Sequence, residues 1–316
     1  MSSTTTEQKF VKTDLKISSK TPGWNLDAWK YLPTIAGSQP KDLPVIVMAH
    51  GFSANKLMSL ADYAEEFASL GYGVIVFDYR RWGTSDGKPR NVVNVSDQLE
   101  DYRTVIKFAR QQPEFDPQRV VIWGTSFAGG HVVTLASEQE LNLKAAIAQC
   151  PFLGQDSTPP LSWGVLRTVL KGVADVLKRA VGLGPIYVPA AAHPGRVGVM
   201  TTPDSYDGIH AIVKQKGQYP NEAGCSRHVN ASSIFAFQYY NPNATGAKIA
   251  CPVKVLGPKE DVLCPHDRKK QLARMSSQVE LYEVPGGHFD LYPGTPNYPE
   301  SLAAMKEFLL KRVPPT

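Results

Sequence analysis

The stretch RVVIWGTSFAGGHVV, residues 119–133, turns from one kind of structure to another within three residues. Val120-Val121-Ile122-Trp123 is a continuous apolar run, the mark of a strand covered on both faces. Gly124-Thr125-Ser126 follows, and then Phe127-Ala128-Gly129-Gly130, small residues that lead into a helix-like segment. A serine at such a corner has two readings. It caps the helix through its side chain, a role serine often fills, or its hydroxyl projects from the end of a buried strand. The rest of the chain decides between them.

Working outward, apolar runs and helical repeats alternate. Upstream, Val45-Ile46-Val47-Met48-Ala49 is a second buried strand. A helix with Leu60, Tyr63, Ala64, Phe67 and Leu70 on one face follows, with Gly71 as its stop. Next come a strand over 73–77 and a helix over about 96–111. Downstream, Ala145 to Ala148 forms the core of a fourth buried strand. The rhythm resumes with a strand at 253–256, a helix around 268–275, a strand at 279–284 and a last helix around 299–313. Before all of these, residues 8–32 carry two alternating segments, KFVKTDLKI and WNLDAWKYL, as half-exposed antiparallel strands do. Strand and helix at this rhythm mean a parallel sheet with right-handed crossovers.

The rhythm breaks once, over residues 155–247, a stretch rich in Pro, Gly and Ala. It holds one clear amphipathic helix, with Leu166, Val169, Leu170, Val173, Leu177 and Val181 on one face and Arg167, Lys171, Lys178 and Arg179 elsewhere. The expected organisation is a core of residues 1–154 and 248–316 with 155–247 inserted as a cap. Within the insert, Trp163, Phe235, Phe237, Tyr239 and Tyr240 are expected either to line a pocket or to pack the cap itself.

Composition narrows the function. The 316 residues are 42% hydrophobic and 20% charged, ordinary for a globular chain, and the net charge is +5. No Lys/Arg run or basic stripe interleaved with aromatics suggests a nucleic-acid partner. No apolar run is long enough to span a bilayer, so no membrane partner is expected. The polar start MSSTTTEQKF shows no signal sequence. Cys150, Cys225, Cys251 and Cys264 lack any zinc-ligand spacing, so free thiols, a cytoplasmic location and the absence of metal and cofactor are expected. The sequons at Asn94, Asn230 and Asn243 are then chance matches.

The corner at Ser126 resembles the nucleophile elbow, G-x-S-x-G, of the α/β-hydrolases, with Ala128 in place of the second glycine. The elbow holds its serine at a strained backbone angle, so the residues two before and two after must be small. The resemblance implies an α/β-hydrolase fold: a mostly parallel sheet flanked by helices, with an inserted helical cap. It also implies the order serine, acid, histidine along the chain. An acid is expected after the strand at 253–256, where Lys259-Glu260-Asp261 stands. Asp261 is preferred to Glu260 because it precedes the Val-Leu-Cys-Pro turn in the register of this family. The histidine is expected after the last strand, where Pro285-Gly286-Gly287-His288 makes His288 the choice. Of the six other histidines, His50 ends a strand, His131 lies in the helix after Ser126, His193, His210 and His228 fall in the insert, and His266 opens a helix. Met48-Ala49-His50-Gly51-Phe52 is similar to the family's oxyanion loop, which implies the backbone N–H groups of Phe52 and Phe127 as oxyanion donors. Such donors lower the barrier by roughly 3–4 kcal/mol each.

More narrowly, VIVMAHGFSANKLMSLADYAEEFASLGYGVIVFDYRRWGTSDG and WGTSFAGGHV resemble fungal polyketide transferases and thiohydrolases of secondary metabolism. Dienelactone hydrolases and X-Pro dipeptidyl peptidases are more distant likenesses. The resemblance implies a small-molecule acyl ester or thioester substrate, an acyl-enzyme resolved by water or another acceptor, and an acyl carrier protein or polyketide synthase as partner. The basic excess of the insert, nine Lys/Arg against five Asp/Glu between Asp156 and Lys248, suits an acidic carrier or a solvated face. The segment DYRRWGTSDG shapes a loop, and Asp78, Arg80 and Arg81 are given no catalytic role. Other chemistries on the scaffold remain open: a peptidase, a C–C hydrolase, a lyase or cyclase using His288 as base, or a binder without catalysis.

Overall fold

The computed structural model describes residues 9–34, 40–155, 162–215 and 227–315. The chain opens with β1 (Phe10–Ser18) and β2 (Asn25–Pro33), an antiparallel hairpin. There follow β3 (Leu43–Ala49), α1 (Leu60–Ser69), β4 (Gly73–Phe77), α2 (Val95–Ala109), β5 (Phe115–Thr125), α3 (Phe127–Ala136) and β6 (Ala145–Gln149). The next segment holds α4 (Trp163–Ala180), β7 (Tyr187–Pro189), α5 (Ser205–Gln215), β8 (His228–Asn230) and α6 (Ile234–Tyr239). The chain closes with β9 (Val253–Pro258), α7 (His266–Met275), β10 (Val279–Val284) and α8 (Tyr298–Arg312).

Eight strands form one sheet in the order β1-β2-β4-β3-β5-β6-β9-β10. All neighbouring pairs from β4 to β10 are parallel, and β2 runs antiparallel to both its neighbours. This is the mostly parallel sheet flanked by helices that the sequence implies. The central strands are apolar throughout because both faces are covered. Val45, Val47 and Ala49 of β3 join the core under α2 and α3, while Ile46 and Met48 join the core under α1 and α8. The chain leaves β3 in one direction along the sheet, to β4, and returns past it to β5. The loops after β3 and β5 therefore flank the crevice where ligands of open α/β sheets bind.

The corner after β5 is tight for a steric reason. A Cβ on Gly124 would stand 2.4 Å from the Ala128 carbonyl oxygen, so only glycine fits there. Position 128 itself tolerates a methyl group, which accounts for the alanine.

The small antiparallel pair β7–β8 was not expected, because three-residue strands leave too little alternation to read. The sequon asparagines have structural roles. Asn94 caps α2 by accepting from the Asp97 amide. Buried Asn230 accepts from the Val93 amide, and Asn243 donates to the Arg268 carbonyl. Cys150, Cys251 and Cys264 are free buried thiols, and Cys225 lies outside the described residues. No helix among the described residues is long and apolar enough to cross a membrane.

Candidate active site

Ser126 sits between β5 and α3 with φ 57° and ψ −118°, a conformation that costs a non-glycine residue about 1–3 kcal/mol. Its amide donates to the Gln149 carbonyl and its carbonyl accepts from Phe152, so the surrounding backbone holds the strain. The side chain makes no capping bond to α3. Its Oγ lies instead 3.0 Å from Nε2 of His288. Of the two readings of this serine, the outward hydroxyl is the one the geometry fits.

His288 follows β10 and is reached through Gly286, which has φ 86° and where a Cβ would meet the Asp290 carboxylate at 2.5 Å. The imidazole is buried, and its Nδ1 faces both oxygens of Asp261 at 3.0 and 3.1 Å. Asp261 is saturated with donors. The amides of Leu263 and Cys264 reach Oδ1 at 3.1 and 2.7 Å, and Lys269 Nζ reaches Oδ2 at 2.8 Å. Burial alone raises the Asp261 carboxyl, but the neighbouring His288 and Lys269 charges outweigh it and hold its pKa well below the usual range. Glu260 accepts from the Gly286 amide on the exposed side and does not face the imidazole.

Lys269 is the partner that the sequence does not advertise. It is fully buried on α7, three residues before buried Leu272 and so on the same inward face. A lysine is usually read as surface, and only its place on that face signals otherwise. Lys269→Met is expected to leave Asp261 an uncompensated buried charge and to cost about 3–5 kcal/mol, read from urea unfolding at neutral pH. The sign of the linkage gives a second check. Asp261 has a depressed pKa, so its contribution is complete above the unfolded value of 3.8 and is lost as pH falls towards the folded one.

The expected oxyanion donors lie beside the serine. Among the described hydrogen bonds, neither the Phe52 nor the Phe127 amide donates to a protein group, and Phe127 opens α3, where such amides have no helical partner. The two rings are 5.9 Å apart and edge-to-face, which ties the loop after β3 to the corner after β5. A second anchor fixes the same loop: buried Lys56 donates its amide to Asp78 at 2.7 Å and its Nζ to the other Asp78 oxygen at 2.8 Å. Asp78 is thus a loop-shaping residue, as expected. Arg80 is locked by Asp101, and His50 is buried against the rings of Tyr79 and Trp82. His131 bridges Gln98 and Tyr240, and burial lowers its pKa to about 3.

A cavity of about 30 Å³ opens at Ser126. Its walls include Met58, Leu60, Met200, Ile209, Ile212 and Phe289, and His288 is the one ionisable side chain besides Tyr292 among the described residues that line it. Met200, Ile209 and Ile212 come from the segment between β6 and β9. The five aromatic residues considered from the sequence are elsewhere. Trp163 and Tyr239 are 77% and 80% exposed. Phe235 packs on Gly172 of α4, Phe237 on Phe52, Phe127 and Phe152, and Tyr240 on His131. Phe237 and Tyr240 thus pack that segment onto the core, Phe235 packs within it, and none of the five lines the cavity.

Asp261, Cys264 and His288 bring potential ligand atoms within 4.8 Å of one another, the one such group among the described residues. The Lys269 ammonium on Asp261 makes this a poor cation site, because an ion there would meet a like charge. Cys150, legible in the sequence only as a free thiol, places its Sγ 3.9 Å from His288 Nε2.

A family model described as serine aminopeptidase, S33, matches residues 40–291, from just before β3 to beyond His288. The chain is an α/β-hydrolase of this family. A quorum-quenching protein, AidA of Acinetobacter baumannii, is 35% identical over 84% of this chain and 85% of its own length. A polyketide transferase, af380 of Aspergillus fumigatus, is 30% identical over 86% of each. The crystal structure of the α/β-hydrolase GrgF from Penicillium covers 96% of this chain and 99% of its own with a TM-score of 0.77 at 20% identity, a likeness of fold. This α/β-hydrolase is therefore an enzyme of the hydrolase and acyltransferase kind, with relatives named for work on small molecules.

Proposed function

We propose that this α/β-hydrolase forms an acyl-enzyme on Ser126 from an apolar acyl ester or thioester. The observation that carries the reading is the unbroken line Ser126–His288–Asp261, with contacts of 3.0 Å at both joints. His288 takes the serine proton as Ser126 attacks the acyl carbonyl, and Asp261 orients the imidazole and stabilises its charged form. The oxyanion is received by the Phe52 and Phe127 amides. His288 then protonates the leaving thiol or alcohol, and water or a second acceptor releases the acyl group.

Residues 155–247 act as the cap. The cavity at Ser126 has room for one or two waters, so an acyl chain enters as Ile209 and Ile212 of α5 draw back. The apolar walls support an uncharged chain next to the carbonyl. They do not favour an aminopeptidase, which needs a carboxylate to receive a free amine, and the cavity walls offer none. The fungal relatives named polyketide transferase or thiohydrolase support a polyketide-derived substrate and a role in fungal secondary metabolism. An acyl carrier or polyketide synthase is then the donor, and free buried thiols accord with a cytoplasmic location.

The test is a fluorophosphonate probe followed by peptide mapping. One adduct per chain on Ser126 supports the reading, and a labelled enzyme with the adduct elsewhere refutes it. A model thioester, offered with and without an alcohol, separates hydrolysis from transfer by its products.

The same site predicts a pH profile. Burial opposes a charged His288, but Cys150 and Asp261 outweigh it and raise the pKa well above 6.5. The base must be neutral to act, so the acid limb of kcat/KM lies above that of a free imidazole. The pH dependence of kcat/KM, measured with an ester whose own ionisation is constant across the range, checks this direction.

A further inference from the structure

The helix α4 packs by the face that amphipathic helices usually expose. Gly164, Thr168, Gly172 and Asp175 are its buried residues. Gly164 lies against the Gly195 and Arg196 carbonyls, and Gly172 against Ala231 and Phe235. Thr168 accepts from the Gly198 amide, and Asp175 accepts from the Ile186 and Ser232 amides. This small and polar face fixes the helix to its own chain. The apolar stripe then points away from the molecule: Trp163 is 77% exposed, Leu170 59%, Leu177 64% and Val181 72%, with Leu166 and Val173 also exposed.

A monomer rarely leaves so long a continuous apolar ridge in water. Its spacing identifies the partner. Trp163, Leu166, Leu170, Val173, Leu177 and Ala180 alternate by three and four residues, the narrow seam of a helix that meets another helix. Within the helix the positions bordering the seam are Arg167, Val169, Ala174 and Val176, so one charge lies there. Lys171 and Lys178 stand a further step round the helix. We propose that this ridge is where two copies of the chain pair, α4 against α4 about a two-fold axis.

Charge sets the direction. Lys178 and Arg179 occupy the last turn, and a parallel pair would bring these cations and the like helix dipoles together. The antiparallel pair separates them and sets Leu170 of one copy near Val173 of its partner. The 18-residue helix is about 27 Å long, and its exposed stripe offers several hundred Å² per partner, the low end of what specific interfaces take. A lipid surface would also accept an apolar ridge with cations beside it, but the three-four spacing and the apolar borders fit a second helix better.

The experiment is the mass in solution by light scattering, from about 1 to 100 μM, on the whole chain. The native protein is expected at twice its 34.6 kDa. Leu170→Glu and Val173→Lys, both at exposed positions that do not line the cavity at Ser126, are each expected to weaken dimerisation at least about 100-fold with fluorophosphonate labelling unchanged. Mixing the two variants is expected to restore the dimer through Glu–Lys pairs. A native protein that is monomeric throughout overturns the proposal, as does a dimer that survives both substitutions. A monomer that floats with phosphatidylserine vesicles, and is released by Leu170→Glu, overturns it in favour of a lipid surface.

Discussion

Ser126→Ala is expected to lower turnover of an acyl ester about 10⁵–10⁶-fold and to abolish fluorophosphonate labelling. The size follows from the way the three groups act as a unit. His288 Nε2 has the Ser126 hydroxyl 3.0 Å away, and without that oxygen the base activates nothing placed for attack. What survives is the residual help of the two free amides and of substrate positioning. The fold should be little disturbed, because alanine occupies the same corner and meets the same backbone strain at φ 57°. The thermal midpoint of the variant serves as the control. If Ser126→Ala keeps full turnover on the physiological substrate, no acyl-enzyme forms and His288 works as a lone base, which moves the chemistry to the lyase or cyclase class.

The second large effect is at Asp261. Asp261→Asn is expected to reduce kcat about 10⁴-fold, while the exposed neighbour Glu260→Gln changes it by less than about threefold. Four donors converge on the Asp261 carboxylate: the imidazole, the Lys269 ammonium and two amides. An asparagine replaces one acceptor oxygen by an N–H₂ group, so it must turn a donor towards Lys269 or towards His288. Facing the ring, it selects the tautomer that carries the proton on Nε2, and the serine then has no base. Glu260 serves the Gly286 amide, a bond that glutamine can keep through its carbonyl oxygen. A large loss at 260 with little at 261 would exchange the two assignments.

Much of this arrangement is legible in the chain itself because it rests on strong local signals. Buried parallel strands are apolar without alternation, and the runs at 45–49, 73–77, 120–123 and 145–148 stand in the sheet as read. Gly124 and Ser126 are legible because a corner this sharp permits few residue types. Asp261 and His288 follow from chain order and from the ends of the strands that carry them. What remains hidden depends on tertiary surroundings. Lys56 and Lys269 look like surface cations until the acids that bury with them are located, at Asp78 and Asp261. Cys150 meets His288 across 138 positions of sequence. The aromatic residues of the 155–247 segment were harder still. An aromatic ring suits a cavity wall and a packed interior equally, and position in space, not residue type, separates Met200, Ile209 and Ile212 from Trp163 and Tyr239.

The strands β6 and β9 are hydrogen-bonded neighbours, with Ala146 opposite Val253 and Gln149 opposite Leu256. The 155–247 excursion thus departs from and rejoins the sheet at adjacent interior strands, like a loop of any length thrown between two posts already fixed. Its length and content can drift in descendants while the distances among residues 126, 261 and 288 stay put. On the proposed function, recognition and bond-making are thereby separately evolvable in this chain, and grafting another excursion between the same two posts is a direct way to give an unchanged chemical engine a different cargo.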